Sequence, residues 1–162
     1  MMSLPSNVVL REVRAEDLPL FFEHQQDPEA NYMAAFTAKD PTDQQAFMAH
    51  WTRILGDATT TNRTILIEGQ VAGSVSSYEE TAGRPEVTYW LGKPYWGKGI
   101  ASAALRALLA QVTTRPMYAR VAKDNRASLR VLEKCGFTII DEDKGFANAR
   151  GQEIEEWLLQ LR

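Results

Sequence analysis

The chain has 162 residues, of which 44% are hydrophobic and 24% charged, and it carries a net charge of −3 at neutral pH. Those proportions suit one globular domain over residues 1–162 and exclude a disordered tail, a fibre or a disulfide scaffold. With an acidic balance and no run of three Lys or Arg residues, nucleic acid is not an expected partner. Cys135 is the only cysteine, which rules out an internal disulfide and fits a reducing cytosol. Met1 to Val9 lacks the pattern of a signal peptide, and no stretch approaches the ~18 apolar residues of a membrane span. The sequence therefore reads as a soluble, cytoplasmic protein without a membrane partner.

Val8 to Val13 reads as a first strand. Ala15 to Gln26 reads as a helix, with Leu18, Phe21 and Phe22 at i, i+3 and i+4 and Pro19 tolerated only in its first turn. Asp27-Pro28 ends it. A second helix runs from after Pro41-Thr42 to about Leu55, with Phe47, Trp51, Ile54 and Leu55 at helical spacing and Gly56-Asp57 closing it. Between the two, Asn31 to Asp40 fits either a short helix or a substrate-facing loop carrying Tyr32, Met33 and Phe36.

Thr64 to Glu68 and Val71 to Glu79 read as strands around a hairpin turn at Gly69-Gln70. Thr81 to Pro85 is a turn and Glu86 to Leu91 a further strand. Gly97 to Val112 is the clearest helix, with an apolar stripe of Ala101, Ala104, Leu105, Leu108, Leu109 and Val112. Met117 to Ala122 follows as a strand, then a helix from Asn125 to Cys135, capped by Asp124 and ended by Gly136. Phe137 to Asp141 and Glu153 to Leu161 close the chain as strands around a loop from Asp143 to Gly151. The order β-α-α-β-β-β-α-β-α-β-β predicts an α/β (α+β) fold, a mixed and mostly antiparallel sheet flanked by helices on both faces.

Between Tyr89 and Ser102 a strand runs through a glycine-bearing turn straight into a long helix. First-turn amides have no partners within a helix, and the helix dipole adds partial positive charge there. Glycines let such amides approach a phosphate, so a pyrophosphate suits this turn. The spacing matches neither nucleotide fingerprint: Gly-x-x-x-x-Gly-Lys-Ser/Thr is absent, and Ser102 stands where a third glycine after Gly97 and Gly99 would be needed.

Tyr95-Trp96-Gly97-Lys98-Gly99-Ile100-Ala101 resembles the coenzyme A pyrophosphate loop of the GNAT superfamily of N-acetyltransferases, whose pattern is Arg/Gln-x-x-Gly-x-Gly/Ala. Gly99 and Ala101 match its last two defined positions, and Trp96 stands where Arg or Gln is usual. Downstream, the segment Asn125 to Phe137 resembles the Asn-x-x-Ala/Ser … Glu-Lys-x-Gly-Phe helix of the same family. The order of elements agrees as well, so the resemblance covers nearly the whole chain. Within the superfamily, Tyr89-Trp90-Leu91 followed by Tyr95 to Gly99 looks most like the branch containing ribosomal-protein N-terminal acetyltransferases, which also includes enzymes acting on small amines and antibiotics.

The resemblance implies transfer of an acetyl group from acetyl-CoA, the only cofactor expected, to a primary amine by direct attack in a ternary complex. It implies cofactor contacts at Trp90, Leu91, Trp96, Gly97, Lys98, Gly99, Ile100, Ala101, Ser102, Asn125 and Ser128, with the Leu91 backbone N–H polarising the acetyl carbonyl. Many relatives carry a proton-donating Tyr seven residues after the Asn, where this chain has Leu132. Ser128, on the same helix face, is the candidate acid, against a reading in which its hydroxyl bonds its own helix. Glu86 is the candidate base, against a reading as a solvated turn residue; Glu79 and Glu80 are weaker choices. His24 and His50 lack ligand spacing for a metal, and Cys135 reads as inert and buried. The acceptor is a peptide N-terminus or a small amine, and the resemblance allows a homodimer. The rival function is an acyl-CoA-binding sensor with weak or no turnover.

Overall fold

The computed structural model describes residues 7–162, so most of the reading of Met1 to Val9 lies outside the described residues. Strand β1 spans Val8–Glu12, and a 3-10 turn at Ala15–Asp17 leads into α1, Leu18–Gln25, with Pro19 in its first turn. Asp27-Pro28 does more than end α1. The Asp27 side chain accepts from the backbone N–H groups of Glu29 and Ala30 and so caps a further helix, α2, Pro28–Ala34. Helix α3, Gln44–Leu55, is capped by Asp43. The first part of the ambiguous segment is therefore helix and the rest, from Ala35, is loop.

Seven strands follow one another across a single sheet in the order β1-β2-β3-β4-β5-β7-β6. Strands β2 (Thr61–Ile67) and β3 (Gln70–Thr81) turn at Glu68 and Gly69, one residue earlier than the sequence suggested. β3 and β4 (Arg84–Leu91) turn over only Ala82 and Gly83, because both strands run further than their apolar pattern. Helix α4 spans Ile100–Gln111 and starts three residues after the predicted Gly97, since Gly97 and Gly99 hold positive φ of 72° and 76°. β5 is Met117–Ala122 and α5 is Arg126–Lys134. β6 (Thr138–Ala147) and β7 (Gln152–Leu161) extend through most of the predicted loop, leaving residues 148–151 as the turn. Lys123 bridges Glu142 and Glu155 across that polar strand pair, where no apolar alternation announces it.

Helices α4 and α5 cover one face of the sheet. Ile100, Leu105 and Leu108 pack there with Ile65, Val75, Val87 and Phe137. On the other face Leu18, Phe21 and Trp51 form a smaller cluster from α1 and α3. Every neighbouring strand pair is antiparallel except β4 and β5, which run parallel and register at one pair, Glu86 with Tyr118. Beyond Glu86 the two strands part, and this split positions everything that follows.

Candidate functional site

The split opens into a cavity of about 980 Å³, walled by β4 and β5, the starts of α4 and α5, and α1 to α3 with the loop after α2. The ladder between β3 and β4 fixes which amides of β4 are free. Gly92 N–H bonds Ala72 O at 2.8 Å, so even-numbered residues face β3, and antiparallel alternation turns the odd-numbered amides toward β5. Above the Glu86–Tyr118 pair, those of Tyr89 and Leu91 point into the split.

At the upper end of β4 the Trp96 indole N–H donates to Leu91 O at 2.8 Å and pins the following loop back onto the strand. Positive φ at Gly97 and at Gly99, the N-cap of α4, curls the loop so that the first-turn amides of Ile100, Ala101 and Ser102 open outward. A diphosphate suits this cradle: the loop offers backbone donors, the helix dipole and the adjacent Lys98, which is exposed.

Asn125, not Asp124, caps α5: its Oδ1 accepts from Ser128 N at 3.2 Å, while its Nδ2 donates to Met33 O at 3.2 Å. Asp124 is taken by Arg150, whose two terminal nitrogens donate to it at 2.8 and 3.0 Å. Ser128 Oγ accepts a hydrogen bond from the Tyr89 hydroxyl at 3.0 Å, and both side chains line the cavity.

A model of the acetyltransferase (GNAT) domain family matches residues 7–138, four-fifths of the chain. The chain belongs to the GNAT acetyltransferase family. It is 24% identical to the uncharacterized N-acetyltransferase p20 of Bacillus licheniformis, over 95% of this chain and 92% of that one. The fold is shared with the spermidine N-acetyltransferase of Vibrio cholerae solved with CoA and spermine, at TM-score 0.79 and 17% identity, covering 96% of each chain. It is equally close, at TM-score 0.79 and 19% identity, to the ribosomal alpha-N-protein acetyltransferase RimL solved with coenzyme A, over 97% of this chain and 96% of that one.

In this GNAT chain the cavity wall brings together Trp90, Leu91, Trp96, Gly97, Ala101, Asn125 and Ser128. Lys98 and Gly99 lie exposed beside it, and the Ile100 and Ser102 side chains turn into the core, leaving their backbone amides for a ligand. Glu86 is not brought to the wall. It occupies the one register pair where β4 and β5 are closed, is 4% exposed, and stands behind Arg120, 3.4 Å from the guanidinium Nε. Burial pushes its carboxyl pKa up, with Arg120 opposing. Glu79 and Glu80, further down β3, are absent from the wall too.

The wall formed by α1 to α3 carries features that local sequence pattern did not show. His24 lies against β4 at Gly92, where a Cβ would stand 2.8 Å from its Nε2. Burial pushes the His24 pKa down, Glu23 opposing, which keeps the ring neutral near pH 7, and its Nδ1 has no hydrogen-bond partner among the described residues. The buried Trp90 Nε1 has none either. Ala35 holds a classic γ-turn, φ 65° and ψ −63°, closed by Phe36 N–H to Ala34 O at 2.7 Å, and this aims the chain from α2 into the cavity at Phe36. The turn between β6 and β7 clamps the same segment: Arg150 Nε donates to Tyr32 O at 2.7 Å, Asn148 Nδ2 to Thr37 O at 2.7 Å and Ala149 N–H to Ala35 O at 3.1 Å. No local pattern announces contacts between residues 111 and 118 positions apart.

Proposed function

We propose that the protein transfers an acetyl group from acetyl-CoA to a primary amine bound between α1–α3 and the split. The observation that carries this reading is the opening of the sheet beyond Glu86. It leaves the Tyr89 and Leu91 amides facing a cavity whose upper end runs to the anion-suited loop before α4. The pyrophosphate rests on the amides of Gly97 to Ser102, and the pantetheine arm extends down β4 past Leu91 and Asn125.

The acceptor enters as the neutral amine, and its nitrogen attacks the thioester carbon. Charge developing on the carbonyl oxygen meets a backbone N–H of β4, already fixed by the sheet. Removing one such preorganised donor typically costs 10²–10³ in rate. The thiolate leaves toward Ser128. Glu86 serves at a distance, holding Arg120 together with Glu156, so the amine gives up its proton to water in the cavity. Asp40 and Asp43 on the acceptor wall, with Glu29 already paired to Lys93, favour a cationic molecule, which suits either a small polyamine or a peptide N-terminus. We place the activity in the cytoplasm, where a lone thiol such as Cys135 stays reduced. Among the described residues no helix is long and apolar enough to cross a membrane and no cluster of acidic, His and Cys groups suits a metal ion.

The test is release of free thiol from acetyl-CoA with peptides, polyamines and amine antibiotics as acceptors, alongside Gly99→Asp. That substitution sets a carboxylate and a Cβ at the phosphate cradle, so acetyl-CoA affinity by calorimetry is expected to fall at least 10-fold while the fold survives, with a small drop in melting temperature from the positive φ at residue 99. Unchanged affinity removes the loop from the site. Tight binding with no turnover of any amine returns the sensor reading instead.

A further inference from the structure

We propose that Tyr89 is a positioning residue: its hydroxyl aims the Ser128 proton at the thioester sulfur and then replaces that proton. The inference rests on the transferase reading above. Tyr89 and Ser128 come from different elements, β4 and α5, and meet at 3.0 Å on the cavity wall.

Direction of donation decides what the pair can do. The Tyr89 hydroxyl stays protonated, because burial pushes its pKa above the usual 10, with the nearby Cys135 thiol adding to the push and the bond to Ser128 opposing it. In their 3.0 Å bond Tyr89 donates and Ser128 Oγ accepts, so the single serine proton points elsewhere. The backbone amide of Ser128 is already taken by Asn125, which fixes the first turn of α5 and the serine with it. One turn further along, Leu132 is apolar and buried, so that helix face offers no second hydroxyl.

The step balances. The bond between amine nitrogen and acetyl carbon forms as the carbon–sulfur bond breaks. Sulfur takes the serine proton, Ser128 Oγ takes the tyrosine proton, and the phenolate left on Tyr89 recovers one through Ser128 from water once the thiol departs. The proton surrendered by the amine goes to water.

The experiment compares Tyr89→Phe, Ser128→Ala and the double variant in single turnover, with acetyl-CoA and with its oxygen-ester analogue, on an amine the wild type acetylates. Tyr89→Phe keeps the packed ring, so the fold and the acetyl-CoA dissociation constant are expected to stay within about 3-fold. Each single variant is expected to lose about 10-fold or more in rate. The loss is larger for the oxygen ester, whose alkoxide needs the proton more, and the double variant is no slower than Ser128→Ala. Wild-type rates in Tyr89→Phe, or losses that multiply in the double variant, overturn the inference alone. A wild type that binds acetyl-CoA and acetylates no amine overturns the transferase reading and this inference with it.

Discussion

Asp17 is 1% exposed and holds the corner between β1 and α1. It accepts from two Arg11 nitrogens at 2.7 and 2.8 Å, from Arg14 N–H at 2.9 Å and from the Thr64 hydroxyl at 2.7 Å. Burial by itself raises the pKa of this carboxyl; the hydrogen bonds and the Arg11 charge outweigh it and hold it at about 2, below the ordinary 3.8. A folded-state pKa below the unfolded one stabilises fully above pH 4 and is lost as pH falls through 2. The depression corresponds to about 2 kcal/mol. Asp17→Asn is therefore expected to lower urea stability at pH 7 by at least that order, and the gap from wild type to narrow steadily between pH 4 and pH 2. A gap that ignores pH would place the stabilisation elsewhere.

At the scale of an element, the start of α5 shows how far local pattern reaches. The motif from Asn125 to Phe137 marked the helix and its cofactor-side residue, yet either Asp124 or Asn125 is a competent cap by type. The choice is made by Arg150, 26 residues downstream, which occupies Asp124. Similarly, the strand-loop-helix pattern located the anion-suited loop, but the helix begins only at Ile100 because two residues before it adopt positive φ. Alternation gave Glu86 its face; pairing of β4 with β5, which closes the sheet there, is a long-range fact with no local signature. The Tyr89–Ser128 bond spans 39 positions and was invisible for the same reason. Asn125 uses both ends of its amide, so two substitutions separate its duties. Asn125→Ala loses the cap and the bond to Met33, with an expected cost of about 1 kcal/mol and a raised KM for acetyl-CoA. Asn125→Asp keeps the cap and is expected to recover most of the stability, but not the tie to Met33. Thermal melts and acetyl-CoA titration distinguish the two.

Over the whole molecule, one half of the cavity depends on the other end of the chain. The Arg150 side chain is 4% exposed, stacks 3.8 Å from the Tyr32 ring centroid, and bonds both Asp124 and Tyr32 O. Arg150→Ala leaves that carbonyl and the Asp124 carboxylate without their donor, at an expected cost on the order of 2 kcal/mol. Because the clamp touches the acceptor wall rather than the loop before α4, KM for the amine is expected to rise several-fold while acetyl-CoA affinity changes little. Equal losses in both would show that the clamp steadies the molecule as a whole.

The same clamp imposes an order on manufacture. Residues 27–40 leave the ribosome early, but the turn at residues 148–151 that fixes them emerges only after β6. β5 meets β4 at one register pair and β7 at six, so the far wall of the split waits for β7 as the clamp does. Competence to choose an acceptor arrives last, with β7. An unfinished chain therefore presents no organised site to the lysines and N-termini that crowd around it.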